Sequence, residues 1–186
     1  MLINKIYIFV EGNDDERFFK SVILPYLKDY KVYFIQYAQL KKKILIRYVQ
    51  TIKDSGYVLI FTADLDELPG VTHKKKAIKN KYELLDGHRV IVINNDDIVI
   101  VVKEIESWYL AGLPDEKADE FRIDRINSTD EVTKEIFNNI YHGKFHSRID
   151  FMIELLKHFS IHCAIPKNHS FEYFVSNYLD DSIYSQ

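Results

Sequence analysis

The stretch Lys5–Phe19, KIYIFVEGNDDERFF, carries the information that decides the fold. Its first part is apolar, β-branched and aromatic, and residues 4–10 read as a short buried strand. Glu11-Gly12 breaks that pattern, and Asn13 or Asp14 is placed to cap a helix. Phe18, Phe19, Val22, Ile23 and Leu27 give the helix its apolar face. Working outward, Lys31 to Gln36 reads as a second strand and Ala38 to Lys53 as a helix with its lysines outward. Tyr57 to Thr62 is wholly apolar, as strands at the centre of a parallel sheet are. Pro69-Gly70 precedes a lysine-rich helix over Thr72 to Leu85. Arg89 to Asn94 and Ile98 to Val102 read as strands joined by a hairpin turn at Asn95-Asp96-Asp97. A helix starts at Ser107, and 130–180 reads as helices without a strand signal. Strand and helix alternating in this way predict an α/β fold with a mainly parallel sheet. We place the α/β core at 1–112 and a helical C-terminal extension, packed on the same body, at 113–186.

Composition narrows the class. With 186 residues, 47% hydrophobic and 28% charged, the chain has material for a real core. The one cysteine, Cys163, makes no internal disulfide and no four-cysteine zinc site. No apolar run approaches the ~20 residues needed to cross a bilayer. Met1 to Val10 runs straight into Glu11 with no small-residue cleavage site, so it reads as a buried strand rather than a signal peptide. A cytoplasmic location is expected. The formal net charge of −3 does not advertise nucleic-acid binding. The charge is uneven, however. Lys41-Lys42-Lys43 with Arg47, and Lys74-Lys75-Lys76 with Lys79 and Lys81, form two basic clusters, while acids gather at 11–16, 64–67, 95–97 and 115–124.

Three acidic segments each follow an apolar strand. Glu11 ends the first, Asp64 and Asp66 end the third (YVLIFTADLDE, 57–67), and Glu104 and Glu106 end the last (IVIVVKEIESWYLAG, 98–112). Ligands bind at the carboxyl ends of parallel strands, so the three segments are expected at one edge. In an extended chain Asp64 and Asp66 would share a face, with Leu65 pointing away. Clustered carboxylates repel one another unless a cation neutralises them. Mg²⁺ takes hard oxygen ligands and keeps several waters, so two or three carboxylates suffice.

FVEGNDDERFF and FTADLDE together resemble the Toprim domain, the catalytic α/β (Rossmann-like) fold of topoisomerases, bacterial primases and several nucleases. The resemblance covers roughly the first 110 residues. It is nearest to the overcoming-lysogenisation-defect nucleases and to small standalone RloB-like proteins. It implies Mg²⁺- or Mn²⁺-dependent phosphodiester hydrolysis on DNA or RNA, with Glu11, Asp64 and Asp66 as the catalytic set and metal ligands. It adds Glu106, Glu104 and Asp15 as further metal-site positions, and AIPKNHSFEYF (164–174) resembles a late Ser-Phe-x-x-Phe stretch of the small proteins. Many Toprim enzymes carry a glycine near the end of strand two, where this chain has Gln36-Tyr37-Ala38-Gln39. The 186 residues hold neither a strand-cleaving domain nor a zinc ribbon. The alternative is a non-cleaving module that binds metal and nucleic acid or a protein partner, as in a component of a defence system.

Other chemistry-bearing residues have plainer roles open to them. Lys74, Lys75 and Lys76 follow the Asp-x-Asp segment, where ammonium groups would hold a phosphate backbone or simply face solvent. His158 and His162 lie four apart beside Cys163 but would need a third ligand from elsewhere, and His142 and His146 share that spacing with Gly143 weakening the helix between them; neither pair is assigned a metal. His73 reads as a loop histidine near a phosphate or solvent. Trp108 reads as core, and Tyr109 as core or as a base-stacking residue. There is no Gly-rich phosphate loop, no hydrolase serine elbow and no dinucleotide fingerprint.

Overall fold

The computed structural model describes residues 4–85, 88–89, 93–141 and 143–179. Four parallel strands form the central sheet: β1 (Lys5–Val10), β2 (Lys31–Gln36), β3 (Val58–Asp64) and β6 (Ile98–Val101), in the order β2-β1-β3-β6. Ile8 stands level with Phe34 on one side and Ile60 on the other, and Ala63 stands level with Ile100. Because side chains alternate across a strand, the continuous apolar runs feed two cores at once. Ile6, Ile8, Val10, Ile60, Val99 and Val101 face one of them; Phe9, Leu59, Phe61, Ala63, Ile98 and Ile100 face the other.

Helices α2 (Lys42–Asp54) and α3 (Val71–Glu83) cover the second face. Leu45, Ile46, Val49 and Ile52 of α2 recur at helical spacing and are buried there, with Ile78 and Tyr82 of α3. The expected start of α2 at Ala38 moves to Lys42, because Tyr37–Gln39 makes a 3₁₀ turn and Leu40 is extended. The first face is covered by α1 (Asn13–Phe18), which continues through a π-helical turn at Phe19–Ile23 to Pro25. Proline lacks the N–H that a further helical turn would use, so the helix ends there in a 3₁₀ turn.

The helices α4 (Glu106–Ala111), α5 (Asp115–Glu120), α6 (Lys134–Tyr141), α7 (Arg148–Lys157), α8 (Ile161–Lys167) and α9 (His169–Tyr178) pack on this same first face. One hydrophobic cluster runs from Ile6 and Ile8 to Phe137, Phe151, Phe171 and Phe174. Trp108 is fully buried at its centre, with ring centroids 5.6 Å from Phe18, 5.1 Å from Phe171 and 5.5 Å from Phe174. The fold is thus α/β, a parallel sheet between two helical layers, with a helical C-terminal region on one face.

Two short strands, β4 (Leu84–Leu85) and β5 (His88–Arg89), pair antiparallel. Of the expected strand Arg89 to Asn94, residues 90–92 lie outside the described residues. Asn95–Asp97 is not a hairpin turn: it is a 3₁₀ turn closed by the Asn94 N–H donating to Asp97 Oδ2 (2.7 Å), and the β6 that follows pairs in parallel with β3. Among the described residues no helix is long and apolar enough to cross a membrane.

Candidate metal centre

The strand order creates the site. After β1 the chain steps to β2 on one side, then crosses to β3 on the other, so β1 and β3 are neighbours whose connections leave in opposite directions. A crevice opens at such a switch point, outside the carboxyl ends of the strands. Here it is a cleft of about 280 Å³ lined by Glu11, Asp14, Asp15, Asp64, Asp66, Glu104, Glu106, Lys134 and Arg148, among others. All six acidic residues named from the sequence reach it, although they reach it in different states.

Glu11 follows β1 directly. Gly12, not Asn13 or Asp14, is the N-cap of α1, in extended backbone, and its N–H donates to Asp15 Oδ2 at 3.2 Å. The cap bond turns Asp15 inward, where it is only 5% exposed, and its Oδ1 has no hydrogen-bond partner among the described residues. Burial, and then the charges of Glu11 and Glu106, push the Asp15 carboxyl up to about 7 against the pull of the Gly12 N–H. Asp64 closes β3, and its Oδ1 is likewise buried without a partner. Burial, followed by the charges of Asp15, Glu11, Glu106 and Glu104, raises it to about 9.

Asp66 departs from the expected Asp-x-Asp geometry. The strand ends at Asp64, and the Leu65 N–H donates to the carbonyls of Val101 (2.8 Å) and Lys103 (3.2 Å). Asp66 then takes a left-handed backbone (φ 52°), which breaks the alternation that would have put it beside Asp64. Its side chain is 58% exposed and pairs with Lys74. The cleft is therefore not built on an extended carboxylate pair.

The last acidic segment also differs from expectation. β6 ends at Val101, Lys103 is left-handed (φ 62°), and Glu106 is the first residue of α4 rather than the end of a strand. Glu104 accepts the Lys134 backbone N–H at the start of α6. Glu106 is buried and forms an ion pair with Arg148, the first residue of α7. Burial raises the Glu106 carboxyl, and the Arg148 charge only partly offsets this.

Arg148 and Asp14 are the residues that sequence reasoning passed over. Arg148 Nη1 donates to Asp14 Oδ2 at 2.5 Å while Nη2 holds Glu106. Arg17 donates to Asp14 Oδ1 at 2.5 Å. Burial pushes Asp14 up, but the two guanidinium groups together hold it below its ordinary value. No local signal in the His146-Ser147-Arg148-Ile149 stretch announces this role; it comes from α7 docking beside α4.

A buried polar network fixes α4, and with it Glu106. The Ser170 hydroxyl accepts from the Val102 N–H (3.1 Å) and Trp108 Nε1 (2.8 Å) and donates to Asn168 Oδ1 (2.8 Å). Asn168 Nδ2 donates to Ser107 Oγ (3.3 Å) and Thr129 Oγ1 (3.1 Å), and Asn168 Oδ1 caps α9 at the Phe171 N–H (2.9 Å). The Ser-Phe-x-x-Phe stretch thus has a structural use: its serine ties α9 to the end of β6, and Phe171 and Phe174 enclose Trp108. Tyr109 is buried, and its hydroxyl donates to the Asp14 carbonyl at 2.8 Å, so it is not a stacking platform.

The lysines beyond the Asp-x-Asp segment are mostly engaged. Lys74 holds Asp66; Lys75 Nζ donates to the Asn95 carbonyl (2.9 Å) and lies 5.5 Å from the Tyr173 ring centroid; Lys76 is exposed. His73 is exposed, His158 faces Glu154 at 3.4 Å, His162 is exposed, and His142 lies outside the described residues. A second, larger groove of about 840 Å³ shares Asp66 and Glu104 with the cleft and adds Glu67, Lys103 and Glu135.

No protein-family model matches the chain, and no curated protein or solved structure matches it either. Whether the cleft suits a cation therefore turns on its own donors. Among the described residues no three acidic, histidine or cysteine side chains gather into a ready ligand set. Two buried carboxylate oxygens, Asp15 Oδ1 and Asp64 Oδ1, nonetheless lack a hydrogen-bond partner among the described residues, and the charges around them repel. Mg²⁺ is commonly held by one or two carboxylates, with water and substrate phosphate completing its shell. The donor chemistry fits a hard divalent ion at Asp15 and Asp64.

Proposed function

We propose that the protein is a Toprim-type phosphodiesterase, a Mg²⁺- or Mn²⁺-dependent nuclease of the cytoplasm acting on DNA or RNA. The observation that carries this reading is the pair of unpartnered, proton-retaining carboxylates, Asp15 and Asp64, at the switch point between β1 and β3. Asp15 and Asp64 would hold the ion, and Glu11, which lines the same cleft, would be its third ligand or the base that takes a proton from an attacking water. Glu106 and Glu104 line the same cleft, and Asp66, which also lines it, is exposed and paired with Lys74. A divalent ion in such a site polarises a phosphoryl oxygen and acidifies a bound water. The chain would contribute a cradle at the strand ends whose carboxyl groups give up their protons as the ion binds.

The test is strand cleavage by the purified protein on plasmid, single-stranded DNA and RNA. Cleavage is expected with Mn²⁺ or Mg²⁺, and none with chelator or with Asp64→Asn. Absence of cleavage on all three substrates with either metal would overturn the enzyme reading.

One observation favours a second reading, a non-cleaving module that binds a protein partner. The groove next to the cleft is lined by Asp66, Glu67, Glu104 and Glu135, and its Lys103 is paired with Glu131 at 3.0 Å. Such a surface suits a basic protein segment better than a polyanion.

A further inference from the structure

Two-metal phosphodiesterases place their ions about 3.5–4 Å apart, one for the attacking and one for the leaving oxygen. In this cleft Glu106, the most buried of the carboxylates offered for a second ion besides Asp15, already has a cation, whereas Glu104, among the described residues, accepts only a backbone N–H. Arg148 bridges Asp14 and Glu106 with its two Nη groups, the fork geometry that guanidinium offers to carboxylates. It is not a mobile surface arginine. It opens α7, whose N-cap Ser147 accepts the Asp150 N–H at 3.1 Å, and its guanidinium carbon lies 5.8 Å from the Phe137 ring centroid. The next turn of α7 is anchored by Phe151 and Met152, both fully buried. Guanidinium keeps its charge at every physiological pH, so the cation is permanent. Asp15 in the same cleft is 5% exposed with one oxygen unmatched, and no arginine or lysine in the described structure is bonded to it.

We propose that Arg148 is a resident cation standing in for a second divalent ion, so that the cleft takes one ion, at Asp15 and Asp64. This rests on the metal reading above. A dication brought to Glu106 would meet the guanidinium across a shared carboxylate, and like charges at that range repel strongly in a buried site. Arg148 is accordingly a positioning residue, which acts through Glu106 and Asp14.

The test counts Mn²⁺ bound per full-length chain, by calorimetry and by loss of the free-ion electron paramagnetic resonance signal. One ion is expected for wild type, one for Arg148→Lys, and two for Arg148→Gln, which removes the charge and keeps much of the length. Two ions in wild type would overturn the proposal, as would one ion in a folded Arg148→Gln. Circular dichroism checks that folding. If Arg148→Gln does not fold, the wild-type count still decides, one ion supporting the proposal and two refuting it. Wild type that binds no Mn²⁺ at all would remove the metal reading, and with it the premise.

Discussion

Asp14 and Asp15 are neighbours in the first turn of α1, yet they end in opposite electrostatic conditions. Asp14 faces Arg17 and Arg148, which hold its carboxyl below the ordinary range. Asp15 is pushed up to about 7 by burial and then by the charges of Glu11 and Glu106. The same division runs through the whole cleft. On one side Asp14 and Glu106 are matched by guanidinium groups carried on α1 and α7. On the other, Asp15 and Asp64 converge at the strand ends with unpartnered oxygens. The matched half belongs to the folding of the protein, and the unmatched half stores repulsion that only a proton or an external cation relieves. A row of acids is therefore not one site; its function lies where the fold leaves charge uncompensated.

The largest effect is expected on the matched side. Arg148→Ala would leave Glu106, whose side chain is 5% exposed, as a buried charge without its partner. Breaking a buried pair in this way costs about 3–5 kcal/mol. Urea denaturation of the metal-free protein should show a loss of that order, and a loss under about 1 kcal/mol would mean that the pair is solvated like a surface salt bridge.

A change behind the matched half should come next. A Cβ at Gly112 would sit 2.2 Å from the Phe159 ring, which packs edge-on against Phe18 at 5.3 Å and against Phe171 at 5.8 Å. The ring has little room to retreat, so Gly112→Ala is expected to cost about 1–3 kcal/mol, as overpacking does. Its thermal unfolding should fall accordingly, with the Mn²⁺-induced rise in Tm retained. Loss of that rise would show that the two halves are mechanically coupled.

On the unmatched side the sign reverses. Asp64 holds its proton up to about pH 9 in the folded chain and releases it near the usual 3.8 when unfolded. Between those values the folded state binds more protons than the unfolded one, so the stability of the metal-free protein falls as pH rises from about 4 to about 9. Asp64→Asn removes that contribution. At pH 8 and without metal the variant should melt at least about 2 °C higher than wild type, the response to roughly 1 kcal/mol in a chain of this size. It should also show a flatter stability–pH profile between pH 5 and pH 9 and lose the stabilisation by Mg²⁺ or Mn²⁺. A variant less stable than wild type at pH 8 would show that burial and repulsion do not penalise the Asp64 charge as assigned here.

The smallest effect is expected outside both halves. Replacing Lys74, Lys75 and Lys76 by Ala removes an exposed pair to Asp66 and should change stability by less than about 1 kcal/mol. If the nuclease reading holds, nucleic-acid affinity should weaken and its salt dependence flatten by about 0.7–0.9 for each phosphate that a lysine no longer neutralises. Because Lys74 and Lys75 already have protein partners, the flattening should correspond to about one phosphate rather than three. An unchanged slope would leave these lysines as ordinary surface.

Much of this architecture was legible in the chain. Apolar runs such as Ile6 to Val10 and Leu59 to Ala63, each followed by a helical pattern, specify parallel strands buried on both faces. Parallel strands bring their carboxyl ends to one edge, so the convergence of Glu11 and Asp64 followed from strand order and periodicity, whereas Glu106 reaches the same cleft as the first residue of α4. The state of each carboxylate did not. Whether Asp66 stays beside Asp64 depends on a left-handed turn that the pairing of Leu65 with Val101 and Lys103 imposes. Whether Glu106 is matched depends on Arg148, 42 residues away in the chain. Periodicity is a local property, written in neighbouring residues by the geometry of one strand or one helix. Charge compensation depends on distance through space, and only the packing of α7 against α4 and α1 brings that guanidinium to Asp14 and Glu106 while leaving Asp15 and Asp64 without one.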